Sequence, residues 1–291
     1  MGAALHRPRV IAVAAILAML AAACGADDPQ EGAAQLLDAN TAVVVANSPG
    51  TLTTNGEQRL LVGLIGDGPN QYIGGPDEPA VIVAEDTEGD DLIEIPATWV
   101  SNPGVALGVY VAPVTFTGPG LWQISVKGAD ETVTSALVEI GADSPVPEVG
   151  EAAPASSTLT GSTPDELAVI STDPDPESGF YDLTIAEAID NGRASVIVFA
   201  TPAFCQTAIC GPTIDIAKQA AEGRDDVDFV HVEPYDVPLA KQNDLRPVEA
   251  MSEWGLATEP WIFVVDRDGL VSASFEGIIS QDELESAIDG L

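Results

Sequence analysis

Two cysteines in one short stretch carry the most chemistry in this 291-residue sequence. Cys205 and Cys210 lie in Thr201-Pro202-Ala203-Phe204-Cys205-Gln206-Thr207-Ala208-Ile209-Cys210-Gly211-Pro212, after the apolar run Ser195–Ala200 and ahead of the helix-forming run Ile214–Glu222. A thiol at a strand-to-helix junction meets unpaired backbone N–H groups and the positive end of the helix, which favour thiolate over thiol. One of the two is therefore placed as a nucleophile, and in an oxidising compartment the pair can close a disulfide. The spacing sets a condition. Were 205–210 all helix, the two residues would stand about 7.5 Å apart in axial rise alone, beyond the usual Cα reach of a disulfide. Either the helix starts later, with Pro212 in its first turn, or the turn unwinds for the bond to form.

The third cysteine, Cys24, has a different setting. Arg7 and Arg9 precede the uncharged run Val10–Ala23, which is 14 residues long, and Cys24 follows Ala21-Ala22-Ala23. That run is short for a bilayer span and has the length of a signal-peptide core. Small residues directly before a cysteine resemble a bacterial lipobox, although that family prefers Leu three places before the cysteine and here Ala21 stands there, with Leu20 one place earlier. The resemblance implies cleavage before Cys24, lipidation of Cys24 and an extracytoplasmic protein anchored to the cell membrane. The plainer alternative is a secretory signal cut near Ala23.

Charge excludes one large class. Ten Lys and Arg against 46 Asp and Glu give a formal net charge of −36, and a nucleic-acid binder needs a basic face. Loss of Arg7 and Arg9 with the leader leaves eight basic residues and a formal −38. Such a surface repels anionic lipid and favours solubility. With lysine only at 127, 218 and 241, the composition resembles adaptation to salty surroundings.

The rest of the chain must position the cysteines. After an acidic tether at 24–40, short β-branched runs begin at Thr41: Thr41–Ala46, Arg59–Ile65, Ala80–Ala84, Ala106–Val111, Leu121–Lys127 and Thr132–Ile140, separated by Gly-, Pro- and Asn-containing turns. No long 3.6-residue period appears, so residues 41–141 are expected to form an all-β immunoglobulin-like sandwich. Gly118-Pro119-Gly120-Leu121-Trp122 resembles the late strand of bacterial immunoglobulin-like modules. Residues 142–165, rich in Pro, Ala, Ser and Thr, read as a semi-extended linker with almost nothing to bury. From 166 to 291 the element types alternate: a helix over Phe180–Asn191, strands Ser195–Ala200 and Val227–Val232 around helix Ile214–Glu222, a short helix Val248–Trp254, a hairpin of Trp261–Val265 and Leu270–Phe275, and a final helix Gln281–Ile288. Ser280 and Glu283 have the spacing of a capping box for that last helix. This order describes a mixed sheet flanked by helices.

The segment from about Val149 onward resembles the thioredoxin-like superfamily of redoxins. The resemblance rests on VGEAAP at 149–154, SVIVFATPAFC at 195–205 and GLATEPWIFVVDRDG at 255–269. It implies an α/β thioredoxin-like fold, a cis peptide bond before Pro260, and thiol–disulfide exchange. In that reaction Cys205 attacks, Cys210 resolves and Pro260 shapes the docking edge. Three departures stand against that pattern. Four residues separate the cysteines where thioredoxins have two; the strand Val196–Phe199 lacks the family's buried acid; and Glu259 brings a carboxylate that would raise a neighbouring thiol's pKa. The C-x-x-x-x-C spacing after Thr-Pro is also similar to peroxiredoxins of the bacterioferritin-comigratory type, in which Cys205 would attack peroxide and Cys210 would resolve the sulfenic acid. Thr201 lies one place too far from Cys205 for that family. A third reading makes the chain a non-enzymatic anchored binding module whose Cys205–Cys210 bond is a structural staple.

No metal and no cofactor is expected. A copper site of the redoxin kind would need His231, which reads as a partly buried structural side chain in a strand. The run Asp173–Glu177 lacks the pattern of a calcium loop and reads as a solvated turn. Expected partners are disulfide-bearing or dithiol envelope proteins and, through the lipid, the membrane, with no nucleic acid.

Overall fold

The computed structural model describes residues 41–291 apart from 67, 69, 70, 79, 103, 106 and 128–131. The leader, the tether and Cys24 lie outside the described residues.

The first unit is built from seven strands: β1 (Ala42–Val45), β2 (Gln58–Ile65), β3 (Ala80–Asp86), β4 (Leu92–Ser101), β5 (Gly108–Val114), β6 (Gly120–Lys127) and β7 (Thr132–Ile140). Their spatial order is β1-β2-β5-β4-β3-β6-β7, and every pairing is antiparallel. Alternating apolar residues send one face inward, so that Leu60, Val62, Ile82, Ile95, Tyr110, Trp122 and Ile124 share one core. Trp122 is buried there and donates its indole N–H to the Gly118 carbonyl at 3.1 Å.

Strand β4 was not foreseen, and it closes the sheet. Its residues Leu92–Ala97 pair with β3, and Thr98–Ser101 pair with β5. Pro96, the residue that argues against a strand in the sequence, stands close to the exchange of partners, where a missing N–H is least costly. The curling brings β1 beside β7. The result is a nearly closed β-domain rather than two sheets separate enough to read off the sequence.

The second unit has a four-stranded sheet of order β11-β10-β8-β9, from β8 (Ala194–Phe199), β9 (Val227–Val232), β10 (Trp261–Val265) and β11 (Val271–Glu276). β8 and β9 are parallel, β10 is antiparallel to β8, and β10 and β11 form a hairpin. All six residues of β8 are buried, as a central strand covered on both faces requires. Six helices accompany it: α1 (Pro164–Ile170), α2 (Ile185–Asp190), α3 (Cys210–Ala221), α4 (Val237–Ala240), α5 (Glu249–Glu253) and α6 (Gln281–Asp289). Ile214 and Ala217 of α3 and Leu284 and Ile288 of α6 cover one face with Val196 and Val198. Ile185 and Ala188 of α2 and Met251 of α5 cover the other with Ile197 and Phe199. The expected helix over Phe180–Asn191 is a 3-10 turn at Ser178–Tyr181 followed by α2, because Thr184 caps α2 with Glu187 in a capping box. The capping box at Ser280 and Glu283 is present, and an unforeseen one at Thr163 and Glu166 opens α1.

The Pro/Ala/Ser-rich stretch has more to bury than its composition suggests. Val146, Ala153 and Ser156 are buried, and Gly150, Glu151 and Ala153 exchange backbone hydrogen bonds with Val271 and Gly269 beside β11. Gly255, at φ +65°, lets this stretch pass close by, since a Cβ there would sit 1.9 Å from the Pro145 carbonyl oxygen.

The two units are joined by polar, partly buried contacts. Arg59 of β2 donates to Glu283 at 2.8 and 3.1 Å and to the carbonyls of Glu276 and Ile278. Glu276, buried at the end of β11, accepts from the Ser48 N–H at 2.8 Å and from Thr51 and Thr258, and burial lifts its carboxyl above the ordinary range. Beside these groups Leu61, Val100 and Val109 of the β-domain pack on Ile209 and Ile278. Charge-assisted bonds at a desolvated seam are worth ~1.5–3 kcal/mol each. Arg59→Ala is expected to lower unfolding stability by roughly 2–3 kcal/mol, read as a fall in the midpoint of a guanidinium melt. An unchanged midpoint would show that the apolar contacts alone hold the units together.

Candidate functional site

The active loop begins where β8 ends. Ala200 and Thr201 lead into a turn in which the Cys205 N–H donates to the Thr201 carbonyl at 3.1 Å. Helix α3 starts at Cys210, so residues 205–209 lie outside it and Pro212 falls in its first turn. The spacing condition is therefore met by a late helix start. Ala208 has φ +59°, a left-handed conformation uncommon outside glycine, and it turns the four-residue stretch between the cysteines.

That curl concentrates donors on one sulfur. Both cysteines are thiols, Cys205 half-buried and Cys210 fully buried. The Cys205 sulfur receives first the Cys210 S–H, then, against the opposing effect of burial, the Thr207 hydroxyl at 3.4 Å and the backbone N–H groups of Cys210 and Thr207. These donors depress the Cys205 thiol to about 5. Cys210, whose proton is held by its partner and whose surroundings are apolar, is pushed far above an ordinary thiol. The two thiols are thus driven in opposite directions, Cys205 towards the thiolate and Cys210 towards the protonated form.

Pro260 stands in a cis peptide bond with Glu259, and its carbonyl accepts from Gly277 N–H at 2.9 Å. The carboxyl of Glu259 accepts from the Tyr235 hydroxyl at 3.1 Å. Burial raises Glu259 above the ordinary carboxylate range, and Tyr235 is pushed up to about 12 by burial and by Glu259. Glu259 raises the Cys210 thiol, and the Cys205 charge in turn helps to raise Glu259.

Several supporting groups escaped the sequence reading. Glu233, buried just past β9, accepts from the N–H and hydroxyl of Thr172, and the Thr172 oxygen in turn accepts from the Ala203 N–H at 3.1 Å. The turn ahead of Cys205 thus rests on a carboxylate that follows the run VDFVHV, and an acid ending so apolar a strand was the available signal. His231 is fully buried. The Ala200 carbonyl accepts at 2.9 Å from Nε2, so Nε2 carries the proton and Nδ1 accepts from the Tyr181 hydroxyl at 2.7 Å. Tyr181 accepts from Ser171 at 2.8 Å. Burial depresses His231 to about 4, so the ring is neutral. Both nitrogens are engaged, which gives His231 the structural place expected of it, deeper than expected. Asp173, read as part of a solvated turn, is instead nearly covered and pairs with Lys218 at 2.6 Å.

Among the described residues no group of three or more His, Cys, Asp and Glu side chains is arranged to hold a metal. No helix among them is long and apolar enough to cross a membrane. The cysteine loop also touches the other unit, since Cys205 packs against the cluster formed by Leu61, Val109, Ile209 and Ile278.

No protein-family model and no curated protein matches the sequence. Solved structures do align with part of it. DsbF of MTB, in mixed oxidized and reduced forms, is 25% identical over 34% of this chain and 81% of its own, with a TM-score of 0.28. The exposed lipoprotein thioredoxin Etrx1 of Streptococcus pneumoniae is 15% identical over 34% of this chain and 86% of its own, with a TM-score of 0.27. A thiol:disulfide interchange protein of the thioredoxin family from Chlorobium tepidum is 19% identical over 48% of this chain and 97% of its own, with a TM-score of 0.30. The structures that align with about a third to a half of this chain are thioredoxin-like.

Proposed function

We propose that this chain is a membrane-anchored, extracytoplasmic thiol–disulfide oxidoreductase. In this reading residues 41–141 form an immunoglobulin-like module, residues 142–165 the link, and residues 166–291 a thioredoxin-like redox domain, with a lipid on Cys24. The observation that carries it is the pairing of a half-buried Cys205, beside the Thr207 hydroxyl at 3.4 Å and held low, with a fully buried Cys210 held high at the start of α3.

The reaction follows from that pairing. The Cys205 thiolate attacks one sulfur of a substrate disulfide, forming a Cys205–substrate bond and expelling the other substrate sulfur as a thiolate. Cys205 then no longer needs the Cys210 proton, so Cys210 can lose it to the expelled thiolate through solvent. The Cys210 sulfur attacks Cys205, the second substrate sulfur leaves, and two electrons have passed to the substrate while Cys205–Cys210 closes. An external dithiol of the cell envelope resets the pair. The same steps in reverse oxidise a substrate dithiol. Pro260 lines one cavity together with Thr207 and Ile209 of the cysteine loop and would shape the docking edge.

Two experiments test the chemistry. Alkylation of reduced protein by iodoacetamide should be half-maximal near pH 5 at Cys205, with the rate falling as pH drops because the thiolate takes up a proton. In Cys210→Ala, which removes the first donor, the midpoint should move up towards the ordinary value of about 8.5. A wild-type midpoint near that value would remove the basis for Cys205 as nucleophile.

In an insulin-reduction assay with a dithiol donor, Cys205→Ser should lose all activity and Cys210→Ser should accumulate a covalent mixed disulfide visible by mass. Wild-type inactivity together with a redox potential well below about −300 mV would make the pair a structural staple. Rapid oxidation of Cys205 by peroxide, without insulin reduction, would make the protein a thiol peroxidase.

A further inference from the structure

Beside Pro260, between the two units, lies a cavity of about 280 Å3. One wall comes from the redox site: Thr207 and Ile209, both between the cysteines, with Thr258, Glu259 and Pro260. The facing wall comes from the β-domain, through Val44, Ile65, Tyr72, Leu107 and Val109. Thioredoxin chemistry needs no such second wall; here it stands next to the attacking sulfur.

Three properties define what fits. The lining is mainly apolar, and at the rim Val44 and Tyr72 remain 40% and 37% exposed. Among the described lining residues there is no Lys, Arg, His or Asp, and the two carboxyls, Glu259 and Glu276, are already bonded to Tyr235 and to Ser48. The volume equals roughly nine waters at about 30 Å3 each, room for a few side chains of an extended strand. An acidic segment entering here would meet two carboxyls, no cation and the field of a chain at −36. An apolar segment would remove Val44, Tyr72 and Leu107 from water.

We propose that this groove receives an extended, apolar, acid-free segment flanking the disulfide of a protein substrate, and that the β-domain wall sets this selectivity. The inference rests on the thiol–disulfide reading above. It makes the β-domain half of the substrate site.

The full chain is tested with three peptides that differ only around a cysteine held in a mixed disulfide with a small quenched fluorescent thiol. The flanks are Leu/Val/Phe, Ser/Gly or Asp/Glu. Wild-type kcat/KM should fall in that order, by about tenfold from first to last. Val44→Glu, at an exposed strand position, should bring the ratio of the first two close to one, and Leu107→Gln provides a second variant should the first fail to fold by circular dichroism. Equal kcat/KM for all three peptides, or an unchanged ratio in the variants, overturns the proposal. A parallel arm omits redox chemistry: fluorescence anisotropy with labelled peptides in which Ser replaces the cysteine. Selective binding of the apolar peptide without any reduction would sustain the groove and sink the oxidoreductase; reduction of all peptides without selective binding would do the opposite.

Discussion

A thiolate in this chain must be stabilised by donors close at hand, because almost everything farther away is negative or apolar. The formal charge of −36 gives no general attraction for an anion, and β8, which delivers the site, is buried along its whole length. Cys205 is served by the shortest-range means available: an S–H, a hydroxyl and two backbone N–H groups supplied by residues 207 and 210. The four residues between the cysteines bring these donors: residue 207 supplies a hydroxyl and an N–H, and Cys210 opens the helix beyond. The left-handed Ala208 costs ~1–2 kcal/mol against an ordinary conformation, and that cost is offset where the loop's donors meet the thiolate and Ile209 packs on the β-domain.

The insertion also ties the two units together. Ile209 extends from the cysteine loop into the apolar seam with Leu61, Val109 and Ile278, and Arg59 and Glu276 fasten the same seam a few residues away. A loop packed against a second domain is held in one conformation more firmly than a loop facing water. The Cys205 donors therefore depend on the β-domain, through Ile209, as well as on α3. Glu233 supports the other end: through Thr172 it holds the turn before Cys205, and the neutral His231 holds the Ala200 carbonyl. Two carboxyls thus stand on elements beside the cysteine loop, Glu233 past β9 and Glu259 ahead of β10.

Local features of the sequence were legible where one element decides them. The apolar run at 195–200, the hairpin at 261–275 and the Ser280 cap are each fixed by residues within a few positions, and all three are present. The late helix start was readable as one of two solutions to a spacing problem. What was hidden depends on residues far apart. β4 is absent from the sequence reading, and its Pro96 sits one residue before the last pair with β3, next to the change of partner to β5. Arg59 and Glu283 are 224 positions apart, and nothing in either segment announces the pair. Glu259 does raise a neighbouring thiol, Cys210, as its place in the motif suggested, whereas its own burial and its bond to Tyr235 are not properties of the motif.

The geometry also accounts for the opposite behaviour of two neighbouring thiols. The surroundings of the two sulfurs push them in opposite directions. Cys210 is enclosed among Ile214, Val198 and Ala200 in the core of the second unit, where an anion would be poorly solvated. Cys205 lies half in the open beside its donors. A half-open sulfur beside a covered one therefore divides the pair: the anion is favoured at Cys205, where donors and solvent reach it, and the neutral thiol at Cys210.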